Sequence, residues 1–252
     1  MPPPPPVGES DTQQQATNIL AAINVQRQHM KAVFVRLGLT EIAAREFTNN
    51  GITSLDRLRV LTPEALTQLI KQIHRHNPGA GLFIPFFSQQ YVHAIRFWAN
   101  RMYILGLPYH IEQLNEQLAN IWNEENKAEN EARNLPSDII KSPDPYKKET
   151  KWRQWKESVV TYLNSKRGQG GIPLSCIIRD DDVPQIQIAH PTVHEQLVNC
   201  AILHGNEFNT NNGIVYDLLQ LLTLNGLAWT WKNAFQVSCD GRNAWKSLMN
   251  FY

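Results

Sequence analysis

Apolar residues recur at helical spacing through most of this chain. From Ile19 onward, Leu20, Ile23, Met30, Val33, Phe34 and Leu37 fall about three and four apart, which predicts a helix closed by Gly38. Shorter helical patterns follow over Glu41 to Thr48, Ser54 to Val60 and Pro63 to about His76. Asn50-Gly51 and Thr62-Pro63 separate them. Ser54 and Thr62 are suited to accept from free amides at a helix start, and Pro63 to the first helical position. Asn77-Pro78-Gly79 ends the third segment. A longer helix over Ser88 to Leu105 sets Tyr91, Val92, Ile95, Trp98, Met102 and Leu105 on one side.

Residues Ile111 to Ala132 read as an exposed acidic helix with one apolar stripe, Leu114, Leu118, Ile121 and Trp122. Pro136, Pro143 and Pro145 then interrupt both helix and strand pairing, so Leu135 to Pro145 is expected to be a linker. The second half opens with a helix from about Tyr146 to Ser165, in which Trp152, Trp155, Val159, Tyr162 and Leu163 recur at helical intervals. Leu174 to Arg179 and Gln185 to Ala189 are the places where a short strand pair would fit. Helical patterns at Thr192 to Ile202, Gly213 to Leu224, Ala228 to Val237 and Gly241 to Tyr252 complete the chain. The fold class expected is therefore all-α. Residues 1–18 form a disordered proline and polar leader, 19–107 a helical module, 108–145 an acidic connector helix and proline-rich linker, and 146–252 a second helical domain.

Composition narrows the function classes. A chain of 252 residues that is 42% hydrophobic can bury one or two ordinary cores. Lys plus Arg number 24 and Asp plus Glu 23, so the net charge is +1 and no global field draws in nucleic acid or an anionic membrane. Binding of that kind needs a local patch. Met1 followed by Pro2 to Pro6 is neither a basic nor an apolar leader, which predicts no secretory signal. With no uninterrupted apolar run of about 18 residues, no membrane span is expected either, and a cytoplasmic location follows. Cys176, Cys200 and Cys239 lie far apart and are expected to be free thiols.

Each chemical motif has a plain structural alternative. Gly168-Gln169-Gly170-Gly171 is followed by Ile172-Pro173 rather than the Lys-Ser or Lys-Thr of a phosphate loop, and reads as a flexible exit from a helix. Asp180, Asp181 and Asp182 would suit a hard cation, but three adjacent residues do not converge, and a polar turn is the better reading. His190, His194, Cys200 and His204 pair at helical spacing without matching a common zinc finger, so zinc there stays an alternative to ordinary histidines. No Ser or Cys stands in a nucleophile context, and no catalytic residue, cofactor or metal is expected. The one charge cluster is Lys141 to Arg167, with eight positive and three negative residues. Within it Lys147, Lys148, Lys151, Arg153, Lys156, Lys166 and Arg167 are candidates for phosphate contact, interleaved with Tyr146, Trp152 and Trp155. The tryptophans themselves read as core.

Two resemblances organise these readings. The residues Leu37-Gly38-Leu39, Phe47, Asn50-Gly51-Ile52, Leu55, Leu58, Leu61-Thr62-Pro63-Glu64, Leu66 and Leu69 resemble a sterile-alpha-motif domain over about residues 31–105. That likeness implies a five-helix module that binds other protein domains. The order Trp152, Trp155, Val159, Tyr162-Leu163, Gly170-Gly171-Ile172-Pro173-Leu174, Ile178-Arg179-Asp180, Asn225-Gly226 and Gly241-Arg242-Asn243-Ala244-Trp245 through Leu248 to Tyr252 resembles the capsid region of Gag polyproteins. The relevant elements are copia-type long-terminal-repeat retrotransposons of algae and other microbial eukaryotes. It implies a helical capsid-like bundle in which Trp152, Trp155, Tyr162, Leu163, Ala244, Trp245, Leu248 and Tyr252 are structural. It implies also a non-enzymatic protein whose partners are further copies of itself and single-stranded RNA. The chain ends within the span of the family's Ala-Trp helix and carries no Cys-x2-Cys-x4-His-x4-Cys knuckle, so a shortened capsid domain is expected. The alternative is an interaction scaffold, a sterile-alpha-motif-like module followed by a degenerate helical second domain.

Overall fold

A computed structural model describes residues 9–76, 83–134, 140–147, 151–224, 226 and 228–252. The leader residues 1–8, the Asn77-Pro78-Gly79 stop, Pro136, Lys148, Asn225 and Leu227 lie outside them. The described chain is mostly helical, and none of its helices is long and apolar enough to cross a membrane. It divides into two compact units, one of residues up to Met102 with Pro108–Ala128, the other of Tyr103–Leu107 with Glu129–Tyr252.

The first unit opens with α1, Glu9–Arg36, and continues through α2, Glu41–Asn49, α3, Leu55–Arg59, α4, Pro63–His76, and all but the last two residues of α5, Phe86–Ile104. Residues 9–18, expected to be disordered, are the first turns of α1. The sequence there explains it: acidic Glu9 and Asp11 at the start, then Gln13, Gln14, Gln15 and Ala16, all compatible with a helix. Gly38, at φ 80°, takes the left-handed turn that ends α1, and Thr40 Oγ1 accepts from the Ala43 amide at 3.2 Å to start α2. Ser54 and Thr62 accept likewise from Arg57 and Ala65, at 3.2 and 3.1 Å. Phe34 and Phe47, 4.8 Å apart, are fully buried with Leu37, Leu58, Leu66 and Ile95 in one core.

Residues 108–128, read from the sequence as connector, complete this core. Leu114 and Ala119 are fully buried in it, and Arg36 donates to the Ile111 and Glu112 carbonyls at 2.8 and 3.0 Å. The single helix expected over Ile111 to Ala132 is broken. A 3-10 turn, Ile111–Gln113, precedes α6, Glu116–Asn134, because Asn115 Oδ1 accepts from the Leu118 amide at 2.9 Å and caps a new start.

In the second unit α7, Trp152–Ser165, is followed by 3-10 turns at Gln169–Gly171 and Leu174–Ile178. Then come α8, Val193–Cys200, α9, Gly205–Thr223, α10, Trp229–Asn233, and α11, Gly241–Phe251. Helix α7 begins six residues after Tyr146, which is instead buried, its amide bonded to the Leu222 carbonyl at 2.7 Å. The expected strand pair is replaced among the described residues by one isolated bridge, Arg167 to Pro173. Leu174–Ile178 winds as a buried 3-10 turn, and the Gln185 and Ile188 amides go to the Asn199 and Gln185 carbonyls, which leaves no ladder to form. The glycine-rich stretch is clamped rather than flexible. Asn211, buried in α9, accepts from the Gln169 amide at 2.7 Å and donates to its carbonyl at 3.1 Å, and a side chain on Gly168 would collide with that carboxamide.

The larger core of this unit gathers Tyr146, Trp155, Val159, Leu163, Tyr216, Leu219, Trp245 and Leu248. A smaller one packs Ile104 and Leu105 with Ile172, Cys176, Leu197 and Cys200.

Candidate functional site

Three features of the structure bear on function, beginning with the basic and aromatic stretch. Trp155 is 3% exposed and its indole donates to the Asp144 carbonyl at 3.1 Å; Leu163, Ala244, Trp245 and Leu248 are buried with it. Trp152 and Tyr162, expected in the core, are only half-buried, and Tyr252 is 39% exposed. Tyr252 lies at the surface because it closes over Trp152 from outside, the rings stacked with centroids 4.5 Å apart and Phe251 edge-on to it at 4.8 Å.

The positive residues do not form one open face. Arg153 pairs with Glu157 at 3.1 Å, the Lys166 ammonium sits 5.1 Å from the Tyr162 ring centre, and Arg167 donates to the Gly171 carbonyl at 3.4 Å. Lys156 is half-buried, and Lys147 and Lys151 are exposed. The exposed candidates among the described residues are thus Lys147, Lys151, Arg153 and Arg167, the last two engaged with Glu157 and the Gly171 carbonyl, so the open charge is less than the sequence suggested.

The second feature is a buried guanidinium hub that motif reasoning passed over. Arg242, in the first turn of α11 and 7% exposed, donates to the Ile177 and Arg179 carbonyls at 2.7 and 2.8 Å and to Asp182 Oδ1 at 2.6 Å. Lys246 reaches the same carboxylate oxygen at 2.8 Å. The Lys246 and Arg242 hydrogen bonds hold the Asp182 carboxyl down at about 2. Arg179 donates to the Asp181 and Val198 carbonyls at 2.9 and 3.1 Å, and its Nη2 is buried without a partner. The aspartate run is thus a docking strip for two arginines: Asp181 also takes a side-chain hydrogen bond from Gln185. Burial pushes the Cys176 thiol up to about 11 and raises Cys200, which marks both as unreactive core groups. A cavity of about 240 Å³ lies over this hub, lined by Ile178, Asp180, Arg242, Trp245 and Met249.

The four zinc candidates are dispersed. His190 Nε2 is 3.1 Å from the Gln185 carbonyl oxygen, Cys200 is buried, His194 is half-buried and His204 stands exposed before α9. No three His, Cys, Asp or Glu side chains among the described residues are placed to share a metal ion.

The third feature is the free half of α1. Every residue from Gln14 to His29 is exposed, among them Ile19 at 59%, Leu20 at 62%, Ile23 at 38% and Val25 at 54%, whereas Met30, one residue later, is 1% exposed. The apolar side chains that the sequence assigned to one helical stripe thus divide into a buried and an uncovered part. Comparison with protein-family models, with curated proteins and with solved structures finds no match.

Proposed function

We propose that this chain is a non-enzymatic, self-associating structural protein of Gag type, with a sterile-alpha-motif-like module ahead of a capsid-like helical domain. The observation that carries self-association is the uncovered part of α1. An isolated helix in water is marginal, and one that exposes Ile19, Leu20 and Ile23 on neighbouring positions is stabilised by burying them against a partner. The Gag reading rests on the resemblance of the α7 and α11 residues. Buried Trp155, Leu163, Ala244, Trp245 and Leu248 are compatible with the structural role that resemblance assigns them.

Single-stranded RNA is the second partner of this reading. Exposed Lys147 and Lys151 would neutralise phosphates while Tyr252, stacked over Trp152, offers its exposed ring to a base. The chain would do this inside the cell, without cofactor or metal. Incubating the purified chain with single-stranded RNA at low salt and imaging the product tests it. Particles that shield RNA from nuclease, and that dissolve as salt rises, support the reading. RNA that stays fully digestible, with no particles under any condition, refutes it.

A further inference from the structure

We propose, building on the self-association reading, that the free half of α1 pairs antiparallel with the same half of a second copy, Ile19 of one helix against Ile23 of the other. Along α1 the positions Ala16, Ile19, Ile23, Gln26, Met30, Val33 and Leu37 step by three and four in strict alternation, the seam of a heptad repeat. Met30, Val33 and Leu37 are at most 1% exposed in the first core. Ala16, Ile19, Ile23 and Gln26 continue the same seam uncovered, with Leu20 on its flank. A helix with a matching seam is the surface that covers it, and this chain carries one.

The direction follows from what faces what. In an antiparallel pair centred between Ile19 and Ile23, Ala16 of one copy meets Gln26 of the other, a small side chain against a long one. The two central layers are Ile19 against Ile23. A parallel pair would stack Gln26 on Gln26 in the seam and Ala16 on Ala16, which buries two carboxamides and leaves a gap. Charge selects the same direction. The first turn of α1 carries Glu9 and Asp11, and the stretch where the core begins carries Arg27, His29 and Lys31. The antiparallel register sets the acidic start of one helix toward the basic stretch of the other, where Lys31 is already paired with Glu41 at 2.6 Å and Arg27 and His29 are exposed, and it opposes the helix dipoles. The parallel register would gather both basic stretches at one end. Only about four seam layers take part, some 15 Å of helix at 1.5 Å per residue, so the pairing is weak and rises with concentration.

Cysteine cross-linking of the full chain tests this. Cys239 is exposed and is first replaced, Cys239→Ser, while Cys176 and Cys200 are buried. In that background Ile19→Cys and Ile23→Cys chains, one of them carrying a mass tag, are mixed in a thiol–disulfide buffer. A disulfide needs Cα atoms within about 7 Å, so the antiparallel pair yields the mixed 19-to-23 product in excess over both same-site products. Same-site products in excess would overturn the direction. No cross-link, in protein whose mass still grows with concentration, would overturn this surface while leaving self-association in place; a strict monomer would overturn both. Ile23→Asp supplies the second arm. Ile23 lies outside the core, so this variant should keep its unfolding midpoint while its mass falls to that of the monomer; an unchanged mass would refute the pairing.

Discussion

Arg242 of α11 holds Asp182 from sixty residues away, two guanidinium nitrogens lying 2.6 and 3.2 Å from one carboxylate oxygen. The same guanidinium satisfies the carbonyls that end the buried 3-10 turn Leu174–Ile178, so one side chain joins α11 to a segment with no helix of its own to occupy its acceptors. Removing it leaves those oxygens buried and unpaired. Arg242→Met is expected to lower the stability of the second unit by about 3 kcal/mol, and Arg242→Lys to recover only part of it because an ammonium cannot span the fork. Urea titration followed by tryptophan fluorescence measures both.

The Asp182 contacts give stability a pH dependence of known sign. Its carboxyl titrates near 2 in the folded chain against an ordinary value of 3.8. A depressed carboxyl contributes fully above its unfolded value, and the contribution drains away as pH falls through the folded one. Wild type should therefore be more resistant to urea than Asp182→Asn at pH 6, with the gap closing between about pH 4 and pH 2. A gap that is flat across that range would show that the carboxylate charge contributes nothing.

At Gly241 the sign of the effect is diagnostic. An added methyl group would lie 2.5 Å from the Asn212 carbonyl oxygen and 2.6 Å from the Tyr216 nitrogen of α9. In a free helix Gly→Ala gains about 1 kcal/mol, whereas here the backbone crossing leaves no room and Gly241→Ala is expected to cost about 1–3 kcal/mol. A rise in the thermal midpoint would contradict the close approach of α11 to α9.

Trp245 is 3% exposed in the same core, and Trp245→Ala is expected to cost about 3–5 kcal/mol. Equilibrium unfolding with a loss under about 1 kcal/mol would be incompatible with that burial.

Periodicity located the helices wherever a stripe also had a local stop. Glu41 to Thr48, Pro63 to His76 and Gly241 to Tyr252 agree with α2, α4 and α11 to within a residue; Pro63 marks one start in the sequence, and Thr40 and Asp240 are seen in the structure to cap the other two. Where polar residues carried the signal it was lost. The turns Glu9 to Asn18 have no apolar stripe to count, and the first eight residues of α9, Gly205 to Asn212, are mostly polar. The Asn115 cap inside Ile111 to Ala132 was hidden in a run of helix formers. The hub was not legible at all, since Arg242, Arg179 and Asp182 meet only through tertiary folding. The lysine cluster was legible as charge, yet partners such as Glu157 and Tyr162 take up part of it locally.

The measurement that tests the central claim most directly is the mass of the full chain by light scattering across a wide concentration series, at low and at high salt. The account predicts masses that climb above the 28.9 kDa monomer as concentration rises, because the proposed partner of the uncovered α1 seam is another copy. A constant 28.9 kDa at every concentration and salt would contradict self-association and leave the uncovered half of α1 without the partner assigned to it.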